Sequence, residues 1–133
     1  LALKVRAFID STVVPFESSL RADSHGIDPK VRDQLQASAR DAGVFAPTAP
    51  KEFGGLELNH VAQAVVLEES GRSLLGPTAM NCAAPDEGNI LLLNIVTTSA
   101  QRDKYLAPLA RGDVRSSFSM TEPAPGAGAD PDQ

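Results

Sequence analysis

Cysteine is nearly absent from this chain of 133 residues: Cys82 stands alone. A disulfide framework is excluded, and the usage fits a reducing compartment. Long apolar runs are missing as well. None exceeds four residues, the length of Ile90-Leu91-Leu92-Leu93, against the ~18 of a membrane-spanning helix. Positive charge is in deficit: 12 Lys and Arg stand against 17 Asp and Glu, a net charge of −5. That balance disfavours nucleic acid and anionic membranes as partners, since both select for clustered basic residues. No stretch has the makeup of a secretory signal, and no repeat of solenoid length occurs. His25 and His60 lack partners at ligand spacing, and Asp130 with Asp132 is half a metal site without the other half. All four are read as solvated positions, and no metal is expected.

What is present is ordinary globular material, 42% hydrophobic and 22% charged, in a length suited to one domain. Leu1, Val5, Phe8, Ile9, Thr12, Val13, Phe16 and Leu20 recur at threes and fours, the stripe of an amphipathic helix. Pro15 has no amide hydrogen and collides with the preceding turn, which predicts a break just before it and a second helical piece to about Ala22. Asp28, Pro29 and Gly43 are an N-cap, a first helical residue and a stop. Between them Val31, Leu35, Ala39 and Ala42 make a buried stripe, with Lys30, Arg32, Asp33, Gln36 and Arg40 facing water. Residues 44–58, with two prolines and the turn Gly54-Gly55, read as an extended loop. Asn59 caps a helix from His60 to Ser70 whose residues 61–67 are apolar on nearly every side, the mark of a central, buried helix. Glu68 and Glu69 end it against the helix dipole, with Arg72 as a candidate partner. Adjacent helical residues do not face one another, so the pair reads as structural and not as an acid–base couple.

A short helix from Pro77 takes in residues 80–83. Asp86 is placed to cap a helix through Ile90, Leu93 and Val96, and Thr98-x-x-Gln101 is a capping box for the last helix, which ends near Arg111-Gly112. Residues 114–120 lack a helical stripe and read as a strand, and 121–133 as loop. A single strand cannot satisfy its own backbone hydrogen bonds. The expected fold class is therefore all-α: a helical bundle over residues 1–112, then an orphan β-strand and loop over 113–133, the whole reading as the N-terminal piece of something larger. Gly126 and Gly128 give the loop flexible amides suited to wrapping a cofactor or anion. No Lys accompanies them, so a nucleotide-hydrolysing phosphate loop does not fit.

Four stretches, taken in order, carry a resemblance. They are Pro50-Lys51-Glu52-Phe53-Gly54-Gly55-Leu56, Glu68-Glu69-Ser70-Gly71-Arg72, Gln101-Arg102-Asp103-Lys104-Tyr105-Leu106-Ala107-Pro108-Leu109 and Phe118-Ser119-Met120-Thr121-Glu122-Pro123. Each is similar to a segment of the acyl-CoA dehydrogenases. The first matches the Pro-Glu-x-(Tyr/Phe)-Gly-Gly loop, and the second the Glu-Glu pair that ends the third long helix. The third resembles the Gln-Lys-x-x-(Tyr/Trp)-Leu-Pro-x-Leu helix, and the fourth the Thr-Glu-Pro flavin segment that opens the middle β-domain. Asn81-Cys82-Ala83-Ala84-Pro85-Asp86-Glu87-Gly88-Asn89 is like a stretch in the branch related to the larger fused members.

The resemblance implies an FAD enzyme that oxidises an acyl-CoA thioester to a trans-2-enoyl-CoA, in fatty acid β-oxidation and lipid metabolism. In the family a glutamate takes the α-proton while hydride leaves the β-carbon for the flavin, and hydrogen bonds to the thioester carbonyl stabilise the developing enolate. An electron-transfer flavoprotein as electron acceptor and a homodimer or homotetramer at full length are implied too. Residue by residue, Phe118, Met120, Thr121, Gly126 and Gly128 are placed at the flavin, and Ala129, Thr78 and Cys82 at the substrate. The tail departs from Thr-Glu-Pro-Gly-x-Gly-Ser-Asp by two extra residues and by Ala129 in place of serine, whose hydrogen bond a methyl group cannot make. Cys82 has no His-Asp constellation about it and reads first as packing. The catalytic glutamate is implied to follow Gln133, which leaves this chain without a catalytic residue or turnover of its own. Two other readings stand beside this one: an acyl-CoA oxidase that passes electrons to oxygen, and a non-catalytic helical module that binds a protein partner.

Overall fold

The first helix does not break at Pro15. In the computed structural model, which describes residues 1–19 and 27–119, α1 runs without interruption as Ala2–Phe8, a π-helical turn Ile9–Val13, and Val14–Ser19. The Val14 amide donates to the Ile9 carbonyl, five residues back. A proline ring clashes with the carbonyl four residues behind it; the widened turn moves that carbonyl aside and the helix continues. The same arrangement recurs before Pro108, where the Ala107 amide donates to the Arg102 carbonyl. The expected helix end at Ala22 lies outside the described residues, as does His25.

Helix α2 is Pro29–Asp41, capped by the Asp28 side chain, which accepts from the Lys30 amide at 2.7 Å. The chain leaves it through Gly43 at φ +65°. Leu35 and Ala39 are buried as the stripe predicts, but Gln36, expected in water, is buried as well. The later turn Gly76–Ala79 covers it, and the Gln36 side-chain amide donates to the Thr78 carbonyl at 3.3 Å.

Residues 44–50, the first half of the expected loop, sit largely in the core, while Lys51, Glu52 and Glu57 are exposed. Val44, Phe45, Ala46 and Ala49 are buried. The segment can be buried because its backbone is paired: Ala46 donates to Met80 at 2.8 Å, Leu56 to Ala46 and Glu57 to Ala49 both at 3.0 Å. A 3-10 turn, Lys51–Phe53, ends at Gly54 with φ +87°. A Cβ on Gly55 would stand 2.1 Å from the Ala49 carbonyl oxygen, so only glycine fits there.

Helix α3, His60–Ser70, is capped by Asn59, which accepts from the Ala62 amide at 3.0 Å. It is not the central helix its composition predicts. Val61 is 79% and Val65 46% exposed, because α1 packs along one side of α3 and leaves the other open. The turn α4, Gly76–Ala79, starts one residue before Pro77 and stops before Met80; Asn81 then takes φ +53°, so residues 80–83 are not helical. Helix α5, Asp86–Val96, buries Ile90 and exposes Leu91, Leu92, Ile95 and Val96. Helix α6 comprises Ser99–Gln101, the π turn Arg102–Leu106 and Ala107–Ala110, opened by the Thr98–Gln101 capping box and closed at Gly112, φ +75°. α5 packs on α6. The core gathers Val5, Ile9 and Val13 of α1, Leu35 of α2, Met80, Ile90 and Leu106.

Among the described residues there is no strand. Residues 114–119, expected as one, are irregular, because a strand exists only against a neighbour. Their polar groups turn instead to the start of α5.

Candidate functional site

Asp86 opens α5 but does not cap it; Pro85 holds the cap position and no side chain bonds the first turn. The Asp86 carboxylate is 7% exposed. Its Oδ1 accepts from both the amide and the hydroxyl of Ser116 at 2.7 Å, and its Oδ2 from Arg115 Nε at 3.0 Å. Asn89, a turn further along the same face, donates through Nδ2 to Ser116 Oγ at 2.8 Å and to the Ser117 carbonyl at 3.4 Å. Next to this cluster lies a groove of about 420 Å³, with Leu92, Leu93 and Leu109 in its wall and Lys104, Tyr105 and Arg115 among its polar residues. A second, water-sized cleft of about 10 Å³ runs between Arg32, Thr78, Asp86 and Arg115.

Thr78 and Cys82 fall on one turn, joined by the Cys82 amide to the Pro77 carbonyl at 2.8 Å. Thr78 is half-buried and borders the small cleft. Cys82 is buried, and burial pushes its thiol up to about 12, with Glu87 acting in the same direction and a hydrogen bond with Ser70 opposing both. A thiol that stays protonated near neutral pH is packing, not a nucleophile. Between them Asn81 donates to the terminal carbonyls of α6, Leu109 at 3.2 Å and Ala110 at 3.1 Å. Phe118 is 60% exposed. Met120, Thr121, Gly126, Gly128 and Ala129 lie outside the described residues, as do Asp130 and Asp132.

The Glu68-Glu69 pair is resolved by Arg6, not chiefly by Arg72. Arg6 Nε donates to Glu69 Oε2 at 2.9 Å across 63 residues of chain, while Arg72 stands 3.9 Å away and bonds Asp10 at 2.9 Å. The hydrogen bond from Arg6 holds the Glu69 carboxyl below the usual carboxylate range, against the opposing pull of burial. The same bond raises Arg6. Two of the recognised stretches also meet: Arg102 donates to Glu52 and to Asn94 and lies 5.6 Å from the Phe53 ring centroid. That contact ties the 50–56 loop to α6.

Sequence reasoning did not assign Asp86 and Asn89 to residues 115–117, nor Arg6 to Glu69. One signal was available for the first pair: Asp and Asn three apart on a helix share a face. For Arg6 there was none, since its partner is far along the chain.

Comparison with known proteins agrees with this fold. Residues 1–113 match the family model described as acyl-CoA dehydrogenase, N-terminal domain. Acyl-CoA dehydrogenase family member 11 of Homo sapiens is 32% identical over 129 residues, covering 91% of this chain and 16% of that protein. Probable acyl-CoA dehydrogenase FadE2 of Mycobacterium tuberculosis is 40% identical over 97 residues, 72% of this chain and 23% of that protein. A solved Mycobacterium abscessus structure, titled as that of a "putative acyl-CoA dehydrogenase", superposes with a TM-score of 0.80 at 35% identity, covering 95% of this chain and 34% of that one. The chain belongs to the acyl-CoA dehydrogenase family, as its N-terminal helical domain. It spans well under two thirds of the length of these relatives. No helix among the described residues is long and apolar enough to cross a membrane.

Proposed function

We propose that this chain is the N-terminal part of an FAD-dependent acyl-CoA dehydrogenase that converts an acyl-CoA to its trans-2-enoyl-CoA. Residues 1–112 are its helical domain and 113–133 the start of a middle β-domain. The observation that carries this reading is the family match over residues 1–113, followed directly by the Phe118–Pro123 stretch that resembles a flavin segment. The described residues fit one edge of a flavin site and do not enclose one. Phe118 is an exposed aromatic ring at the end of a bonded segment, able to lie against a planar group, and its neighbour Ser117 lines the groove. When bound, the flavin supplies the hydride acceptor.

On this reading Phe118, Met120, Thr121, Gly126 and Gly128 face the cofactor. Thr78, Cys82 and Ala129 lie on the substrate side, where Thr78 and Cys82 contribute shape, since the Cys82 thiol stays neutral. The base that removes the α-proton comes from outside this chain, which alone turns nothing over. Electrons leave through an electron-transfer flavoprotein, and the full-length protein is a homodimer or homotetramer in the cytoplasm or an organelle matrix. The test is to produce the whole reading frame, record its visible spectrum and add saturated acyl-CoA thioesters without oxygen. A yellow protein bleached by one of them supports the reading; a colourless one that takes up no FAD overturns it. Rapid oxygen consumption by the same protein points to the oxidase.

A further inference from the structure

The Asp86–Asn89 face of α5 does something that helix packing does not require: it takes hydrogen bonds from, or gives them to, three consecutive residues of an irregular segment. We infer that Asp86 and Asn89 are positioning residues, a two-point clamp on residues 115–117. The clamp fixes where the chain leaves the helical unit and so sets how Phe118 is presented to the flavin. This inference rests on the dehydrogenase reading above.

The physics favours a fixed geometry. A carboxylate that is 7% exposed gives up its hydration only when donors replace the water. Here three do, among them an arginine and a backbone amide, both of which form strong bonds to an ionised acceptor. The carboxylate also lies in the first turn of α5, beside the positive end of the helix dipole. Ser116 is held twice, by Asp86 and by Asn89, so its hydroxyl can neither rotate nor drift. Phe118 follows two residues later, within about 7 Å of chain, so the point at which Ser116 is held limits where Phe118 can lie.

The experiment uses the protein made from the whole reading frame, with Asp86→Ala, Asp86→Asn, Asn89→Ala and, as a control, Arg6→Ala. The control breaks a carboxylate–guanidinium pair of similar chemistry that joins two helices far along the chain from residues 115–117. FAD affinity is read from the flavin absorbance, and hydrogen exchange is followed at residues 115–119. We expect Asp86→Ala to weaken FAD binding about tenfold or more, the scale on which a small misplacement of a site acts, with faster exchange at Ser116. Asp86→Asn keeps one oxygen for the Ser116 amide and falls between. If Asp86→Ala does not fold, Asp86→Asn and Asn89→Ala carry the test. Arg6→Ala should lower the melting temperature and leave FAD affinity unchanged. The inference is overturned if the clamp variants free Ser116 yet bind FAD like the wild type, or if Arg6→Ala weakens FAD as much as they do. A wild-type protein that takes up no FAD overturns the dehydrogenase reading and this inference with it.

Discussion

Residues 44–58 and helix α3 follow one another in the chain and are treated oppositely by solvent. The first has a single 3-10 turn and otherwise no regular structure, yet Val44, Phe45, Ala46 and Ala49 are all at most 5% exposed. The second is a well-capped helix of mostly apolar residues, and two of its valines stand in water. Regularity therefore does not decide burial here. A segment can go inside when its backbone groups find partners, and 44–58 finds them within itself and at Met80. An apolar helix goes inside only on the sides where something packs, and α3 has α1 on one of them. The irregular segment contributes to the core and is reached from two helices. Arg40 of α2 lies 3.8 Å from the Phe45 ring centroid, and Arg102 of α6 reaches Glu52.

Substitutions put this contrast to the test. The largest effect belongs to Phe45→Ala, which empties a core position and removes the ring under Arg40. The expected loss is about 3–5 kcal/mol of stability in urea unfolding. Gly55→Ala comes next, at about 2 kcal/mol or more, since the added methyl meets the Ala49 carbonyl and backbone has to move. Intermediate in effect is Glu69→Gln, which tests the α1–α3 seam. Because Arg6 lowers the Glu69 carboxyl in the folded state, its stabilisation is present above the ordinary glutamate range and fades as pH falls through the lowered value. Thermal melts should show wild type above Glu69→Gln at neutral pH, with the gap closing in acid; a gap that grows in acid contradicts the assignment. Smallest is Val61→Ser on the open face of α3, expected within about 0.5 kcal/mol of wild type. A larger loss would mean that this face is covered.

Much of the fold was legible because caps act locally. Asp28, Asn59 and the Thr98–Gln101 box bond within a few residues of themselves, and each does in the structure what its pattern predicts. Pro15 was misread because its clash has a remedy, a widened turn, that leaves no mark in the hydrophobic spacing. Gln36 and Val61 were misassigned for a common reason: whether a neighbour covers a position depends on residues far along the chain. The site was less legible than the fold. Thr78 and Cys82 do fall together, but Asp86 was read as a cap, since an Asp before an apolar helix usually bonds its own first turn. Its actual partners, Arg115 and Ser116, lie 29 and 30 residues later.

Each π turn holds one residue more than a regular helix of the same rise would, directly ahead of a proline. Chain length and proline are therefore coupled at these two points. Deleting one residue from Ile9–Val13 would return α1 to even spacing and press the ring of Pro15 onto the carbonyl behind it. A shortened first helix then tolerates the deletion only when Pro15 is exchanged as well, and the same bargain holds for Arg102–Leu106 and Pro108.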